Sequence, residues 1–359
     1  MSDQGDGESK NREKYVDLVF EGGGVKGIAL VGAFSFLEEQ GYEPRNMAGA
    51  SAGAIVAALI AAGYTSAELR KIIGELDYDH FKDESWEDRL PLAGRSLSIL
   101  KDLGVYEGEA FLAWMRNLLE AKGIQTFGDL VRREDTELRY RYKAQVIASD
   151  VTERRLLVLP RDAPRLGIDD PDDLNVALAV RMSMSIPIFF EPVKFANPQT
   201  SREHLIVDGG MLSNFPVWLF DAEEPLWPTF GLKLVEKPRA PIGDQLRQET
   251  PRSGVLSVID YLRSLVDTMM AAHDRLYIEE SDFDRTIAIE TLGVGTTEFD
   301  LSEERAMGCS DRDVPPRRSS WPTTQPRGVW RDRPWLPERR KSRQRSILTK
   351  GLPLTSYDL

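Results

Sequence analysis

Two strand–turn–helix units follow one another within the first 62 residues, and no other feature limits the fold of this chain as tightly. Tyr15-Val-Asp-Leu-Val-Phe20 is a β-branched and aromatic run that reads as a buried strand. It enters Glu21-Gly-Gly-Gly-Val-Lys-Gly27, and Ile28 to Gln40 then carries the apolar face of a helix closed by Gly41. Asn46 to Gly49 forms a second short strand running into Ala50-Ser51-Ala52-Gly53, after which a helix of small residues extends to Ala62. Consecutive units of this kind require right-handed crossovers between parallel strands. The expected fold is α/β: a three-layer α/β/α sandwich around a mostly parallel central sheet.

Downstream, Thr65-Ser-Ala-Glu68 is a capping box that opens another helix. Residues 78–108 mix aromatic and charged side chains irregularly and read as an insertion, a candidate lid or membrane contact carrying Phe81 and Trp86. Glu107 to Ala121 is amphipathic, and Tyr142–Ala148 with Arg155–Leu159 suggests a β-hairpin. Leu174 to Met184 is expected to be helical until Pro187 ends it. Leu205–Val207, Thr229–Leu234 and Thr286–Ile289 are strand candidates, with a long amphipathic helix over Val255–Glu279.

The charge balance divides the chain. Its 359 residues carry a net charge of −12, but residues 308–359 hold 12 Lys and Arg against 5 Asp and Glu. That segment also holds 7 of the 21 prolines and 3 of the 7 tryptophans, with no helical or strand periodicity, so nothing in it offers a packing face. It is expected to be a disordered tail; a basic arm for an anionic surface or a reading-frame change near Met307 are the other readings. The expected organisation is a leader over 1–14, a catalytic domain over 15–221, an α/β extension packed on it over 222–307, and the tail. No run approaches ~18 apolar residues, so a spanning helix is not expected, and the leader lacks the apolar segment of a signal peptide. A cytoplasmic protein with peripheral membrane contact is the expectation. The single cysteine, Cys309, excludes an intrachain disulfide, and the acidic net charge gives no footprint for nucleic acid. No metal or other cofactor is expected from three scattered histidines.

Three motifs carry chemistry. Gly49-Ala-Ser-Ala-Gly53 has the G-x-S-x-G form, which lifts a serine hydroxyl from a tight strand-to-helix turn to a helix N-terminus. Alone it is weak, since a small-residue turn is often only a helix start. Gly22-Gly-Gly-Val-Lys-Gly27 fits a dinucleotide-binding turn or an oxyanion cradle of backbone N–H groups. The second strand ends in Ser51 rather than an acid, which favours the cradle. Asp208-Gly209-Gly210 follows a strand and can supply a base; an ordinary turn is the bland reading. The order Ser51…Asp208…His273 leaves a triad open, although His273 sits inside the long helix pattern. His80 and His204 read as surface residues.

In this order the motifs resemble the patatin-like phospholipase family, with support from Thr126-Phe-Gly-Asp-Leu130 and Ser183-Met-Ser-Ile-Pro-Ile-Phe-Phe-Glu-Pro-Val193. The likeness covers about 17–221. It implies a patatin-like fold and a lipid acyl hydrolase, of phospholipase A or esterase type, acting on a lipid or phospholipid without metal. Carried over residue by residue, it makes Ser51 the nucleophile and Asp208 the base. Gly22, Gly23 and Gly24 become oxyanion-hole donors, and Gly27, Gly49, Gly53, Gly209 and Gly210 supporting motif positions. The alternatives are a Ser-His-Asp esterase using His273 and a non-catalytic lipid- or partner-binding module on the same fold.

Overall fold

Strand alternation divides the buried apolar side chains into two clusters, one on each face of a single eight-stranded sheet. The structure, a computed structural model, describes residues 14–23, 27–74, 108–134, 137–235, 268–269 and 285–291. Among these, the chain runs β1 (Tyr15–Phe20), α1 (Gly27–Glu39), β2 (Glu43–Ala50), α2 (Ala52–Ala61), α3 (Ser66–Gly74) and α4 (Glu109–Ala121). It continues through β3 (Ala144–Asp150), β4 (Arg155–Leu159), α5 (Val176–Ser183), β5 (Val193–Ala196), β6 (Glu203–Asp208), β7 (Thr229–Val235) and β8 (Thr286–Glu290).

The larger cluster joins Leu18 and Phe20 of β1, Met47 of β2 and Val146 of β3 to buried residues of all five helices. On the opposite face Val19, Ala48, Ala50 and Ile147 meet Tyr140 and the turns around Phe215–Phe220. The fold is thus an α/β sandwich, with the described helices gathered on one face. The helix expected over Val255–Glu279 lies outside the described residues, save for a helical pair at Thr268 and Met269. The leader before Lys14, the 78–107 insertion with His80, and the 308–359 tail also lie outside them.

Local signals account for most boundaries. Gly41, at φ 76°, closes α1, with its N–H on the Glu38 carbonyl. Thr65 and Glu68 exchange the two reciprocal bonds of a capping box at the start of α3. Asn175 caps α5 by accepting from the Leu178 N–H. Every residue of α2 is buried, as expected for a helix without a charged side chain, whose alanines let it lie close to the sheet. β5 was not expected: its burial is incomplete and its four residues too few for a clear pattern.

The sheet is mixed. β1–β2, β2–β3, β1–β7 and β7–β8 are parallel; β3–β4, β3–β6 and β5–β6 are antiparallel. Since β7 lies beside β1, the sheet continues past residue 221. One detail of β3 governs the site. β4 occupies one edge of β3 along Val146–Asp150. The other edge must therefore hold both β2, over Ala144–Ile147, and β6, over Ala148–Asp150. β2 runs parallel to β3 and ends opposite Ile147; β6 runs antiparallel and ends opposite Ala148. Their C-terminal ends thus meet head to head on adjacent residues of one strand.

Candidate active site

That meeting point brings Ser51, which follows β2 directly, to Asp208, the last residue of β6. Ser51 caps α2 at φ 52° and ψ −129°, a region that non-glycine residues rarely occupy. The turn closes so tightly that neither flanking glycine has room for a side chain. A Cβ on Gly49 would lie 2.3 Å from the Gly53 backbone, and one on Gly53 would lie 2.3 Å from the Phe20 carbonyl oxygen. The glycines of G-x-S-x-G are thus demanded by close approach of backbone to backbone, and the strained serine lies at the positive end of a fully buried helix.

Asp208 is completely buried. Its Oδ1 accepts the Gly210 N–H at 2.7 Å, while Oδ2 is buried with no hydrogen-bond partner among the described residues. Burial pushes the carboxyl up from its ordinary 3.8 to about 7, against the opposing pull of the Gly210 N–H and the Ser51 side chain. Gly209 packs on β3, where a Cβ would lie 2.2 Å from the Ile147 carbonyl oxygen. Gly27 is the first residue of α1 and is buried.

A segment that the sequence offered only as a supporting phrase proves central to the site. The Ser51 N–H donates to Ser183 Oγ at 2.8 Å, and the Ser51 hydroxyl donates to Met184 Sδ at 3.7 Å. The Asp208 N–H donates to the Ser185 carbonyl at 2.9 Å. Three successive residues, beginning with the last of α5, thus hold the serine and the aspartate together. Buried Arg181 steadies them by donating to Ser185 Oγ at 2.5 Å and to the Glu191 carbonyl at 3.1 Å.

Of the three glycines expected to supply oxyanion donors, Gly22 is directed elsewhere. Its N–H donates to the Asn214 carbonyl at 3.0 Å, and its own carbonyl accepts from Asn214 Nδ2 at 3.0 Å. Gly22 therefore anchors the loop. Gly23 is buried next to it, and Gly24 and Lys26 lie outside the described residues. Glu21 fixes the base of the loop to β7, with Oε1 2.6 Å from Lys233 Nζ and Oε2 accepting the Leu234 N–H.

His204, expected at the surface, is instead buried. β6 begins earlier than its apolar run suggested and turns this side chain onto Asp150, 2.7 Å from Nδ1 to Oδ2. It precedes Asp208 by four strand residues, roughly 13 Å at the rise of a strand, and so does not reach the Ser51–Asp208 pair. His273 lies outside the described residues.

Comparison with known proteins gives the family. The family model described as "Patatin-like phospholipase" matches residues 18–221. The uncharacterized protein YqhO of Bacillus subtilis (strain 168) is 40% identical over 294 residues, spanning 82% of this chain and 93% of the relative. The probable lipid hydrolase 463L of Invertebrate iridescent virus 6 is 25% identical over 212 residues, 56% of this chain and 62% of that protein. Among solved structures, VipD from Legionella pneumophila aligns over 84% of this chain and 67% of its own, with 19% identity and a TM-score of 0.42.

Proposed function

The chain belongs to the patatin-like phospholipase family, a hydrolase family, and from that premise we propose that it cleaves acyl esters of a lipid through a Ser51–Asp208 dyad. The observation that carries this reading is the convergence of β2 and β6 on adjacent residues of β3. It sets a strained serine beside a buried carboxyl that titrates near 7. A carboxylate in that range is a competent base at neutral pH.

In the first half-reaction Asp208 takes the hydroxyl proton as Ser51 Oγ attacks the acyl carbonyl. N–H groups from Gly23 and Gly24, together with the positive end of α2, would stabilise the oxyanion, an effect of about 10²–10³ in rate for one good donor. Collapse expels the alcohol, which leaves with the proton from Asp208. Water then enters, gives a proton to Asp208 and hydrolyses the acyl-Ser51 ester.

An organophosphonate should label Ser51 in the intact protein, read by mass spectrometry of the Ser51 peptide. Ser51→Ala should abolish both labelling and hydrolysis of a chromogenic short-chain ester. Turnover that survives Ser51→Ala refutes the dyad, and a folded protein without label or turnover favours a non-catalytic lipid-binding module. Among the described residues no helix is long and apolar enough to cross a membrane. Peripheral contact with the lipid surface fits the proposed substrate; vesicle flotation tests it, and absence of binding at every lipid composition contradicts it.

A further inference from the structure

We propose that Asn214 is a third catalytic residue of this site, beside Ser51 and Asp208, acting in deacylation: its side-chain oxygen and Asp208 Oδ2 together hold the hydrolytic water over the acyl-Ser51 ester. The inference rests on the Ser51–Asp208 reading. Asn214 lies six residues after Asp208, in a loop folded back on the Asp208-Gly-Gly turn by the Ser213 N–H, which donates to the Gly209 carbonyl at 2.9 Å. It is 8% exposed. Its backbone carbonyl and its Nδ2 both bond Gly22, each at 3.0 Å. These contacts decide which end of the amide is which, because a flipped amide would set its oxygen against the Gly22 carbonyl.

The remaining atom, Asn214 Oδ1, is buried and has no hydrogen-bond partner among the described residues. It crowds the position where a side chain on Gly22 would begin: a Cβ there would lie 2.2 Å from Oδ1 and 3.1 Å from Ser51 Cβ. The amide oxygen thus shares a small volume with the serine, and Gly22 must be glycine to leave room for it. A buried acceptor without a donor costs stability that a folded chain ordinarily avoids. This site holds two, Asn214 Oδ1 and Asp208 Oδ2. Water brings two hydrogens, one for each acceptor.

The step balances. The water oxygen bonds to the acyl carbon as one proton passes to Asp208 Oδ2, while the other O–H remains on Asn214 Oδ1. The tetrahedral intermediate then collapses with cleavage of the bond to Ser51 Oγ. Oγ recovers the proton from Asp208, and the fatty acid leaves with the second. In acylation the only proton moved is that of Ser51, so Asn214 Oδ1 has no donor to orient. Its loss should therefore fall on the second half-reaction.

Asn214→Ala separates the halves. Stopped-flow hydrolysis of a p-nitrophenyl short-chain ester should show a burst approaching one product per enzyme, followed by a steady state about 10²-fold slower than wild type. Intact-protein mass spectrometry should find Ser51 mostly acylated, and the burst rate should fall only a few-fold. Asn214→Ser, a smaller change that keeps a polar side chain, carries the same test if Asn214→Ala fails to fold. A loss confined to the burst rate, with no acyl-Ser51 accumulating, overturns the proposal, as does wild-type behaviour in both phases. Failure of the underlying dyad looks different: Ser51 of the wild-type protein would take no phosphonate label.

Discussion

Two buried aspartates stand on the same face of neighbouring strands and lead opposite lives. Asp150 ends β3 and Asp208 ends β6, with side chains 1% and 0% exposed by residue. Both oxygens of Asp150 are matched: Oδ1 accepts the Glu153 N–H at 3.0 Å and Oδ2 meets His204 at 2.7 Å. Asp208 has one oxygen matched and one with no partner among the described residues. A fully satisfied buried carboxylate is an anchor, tying β3 to β6 and to the turn that follows it. A half-satisfied one holds its proton tightly enough to exchange it near neutral pH rather than near 4, and keeps a lone pair for a substrate. Burial alone therefore does not mark a base; burial with an unfilled acceptor does.

The largest expected effect breaks the pair apart by function. Asp208→Asn should lower kcat on a chromogenic ester by about 10³-fold or more, whereas Asp150→Asn should leave kcat of the folded fraction within a few-fold. Equal losses in two equally folded variants would erase the distinction. Next comes pH. Because Asp208 must be ionised to accept the serine proton, kcat/KM should rise through about 7. It should fall tenfold per unit below that, so activity at pH 5 is about 10²-fold under its plateau. A profile flat from pH 5 to 8 would remove Asp208 as the base.

Stability should invert the order. Asp208 has a folded pKa of about 7 against an ordinary 3.8, so the folded chain holds the proton more tightly than the unfolded one. Its stabilising contribution is complete below about pH 4, is lost as pH climbs to 7, and amounts to roughly 4 kcal/mol at most. Asp208→Asn should therefore raise the thermal midpoint at pH 8 and gain nothing at pH 4. His204→Ala should instead lower the midpoint, costing about 2–3 kcal/mol by leaving Asp150 buried without its partner. Thermal melts of both variants across pH check the two signs. The smallest effect concerns the third histidine: His273→Ala should leave kcat within a few-fold, whereas a drop of about 10⁴ would return the site to a Ser51–Asp208–His273 triad.

Asn214, Ser183 and Ser185 sharpen the comparison further, since they bond Gly22, Ser51 and Asp208 respectively. None of them could be read from the chain with its chemistry attached. Ser183 and Ser185 sit in a phrase without a motif of their own, and Asn214 follows Asp208-Gly-Gly with no motif around it. His204 was misread because its neighbours Arg202 and Glu203 are charged, which hid the start of β6.

What the sequence determined by itself was local. The strained serine turn needs a small residue at 49, where a side chain would strike the turn's own backbone at Gly53, and the strand runs, the Thr65–Glu68 box and the closing Gly41 likewise act within a few residues. Those interactions leave a pattern because each partner is close in the chain. What only the tertiary structure decided is which local pieces meet. Ser51 and Asp208 are 157 positions apart, and their approach depends on β2 and β6 sharing one edge of β3. The contacts of Ser183 with Ser51 and of Asn214 with Gly22 span 132 and 192 positions. Hydrogen bonds at such separations are single meetings of one donor and one acceptor; they impose no period, and a period is what a sequence displays.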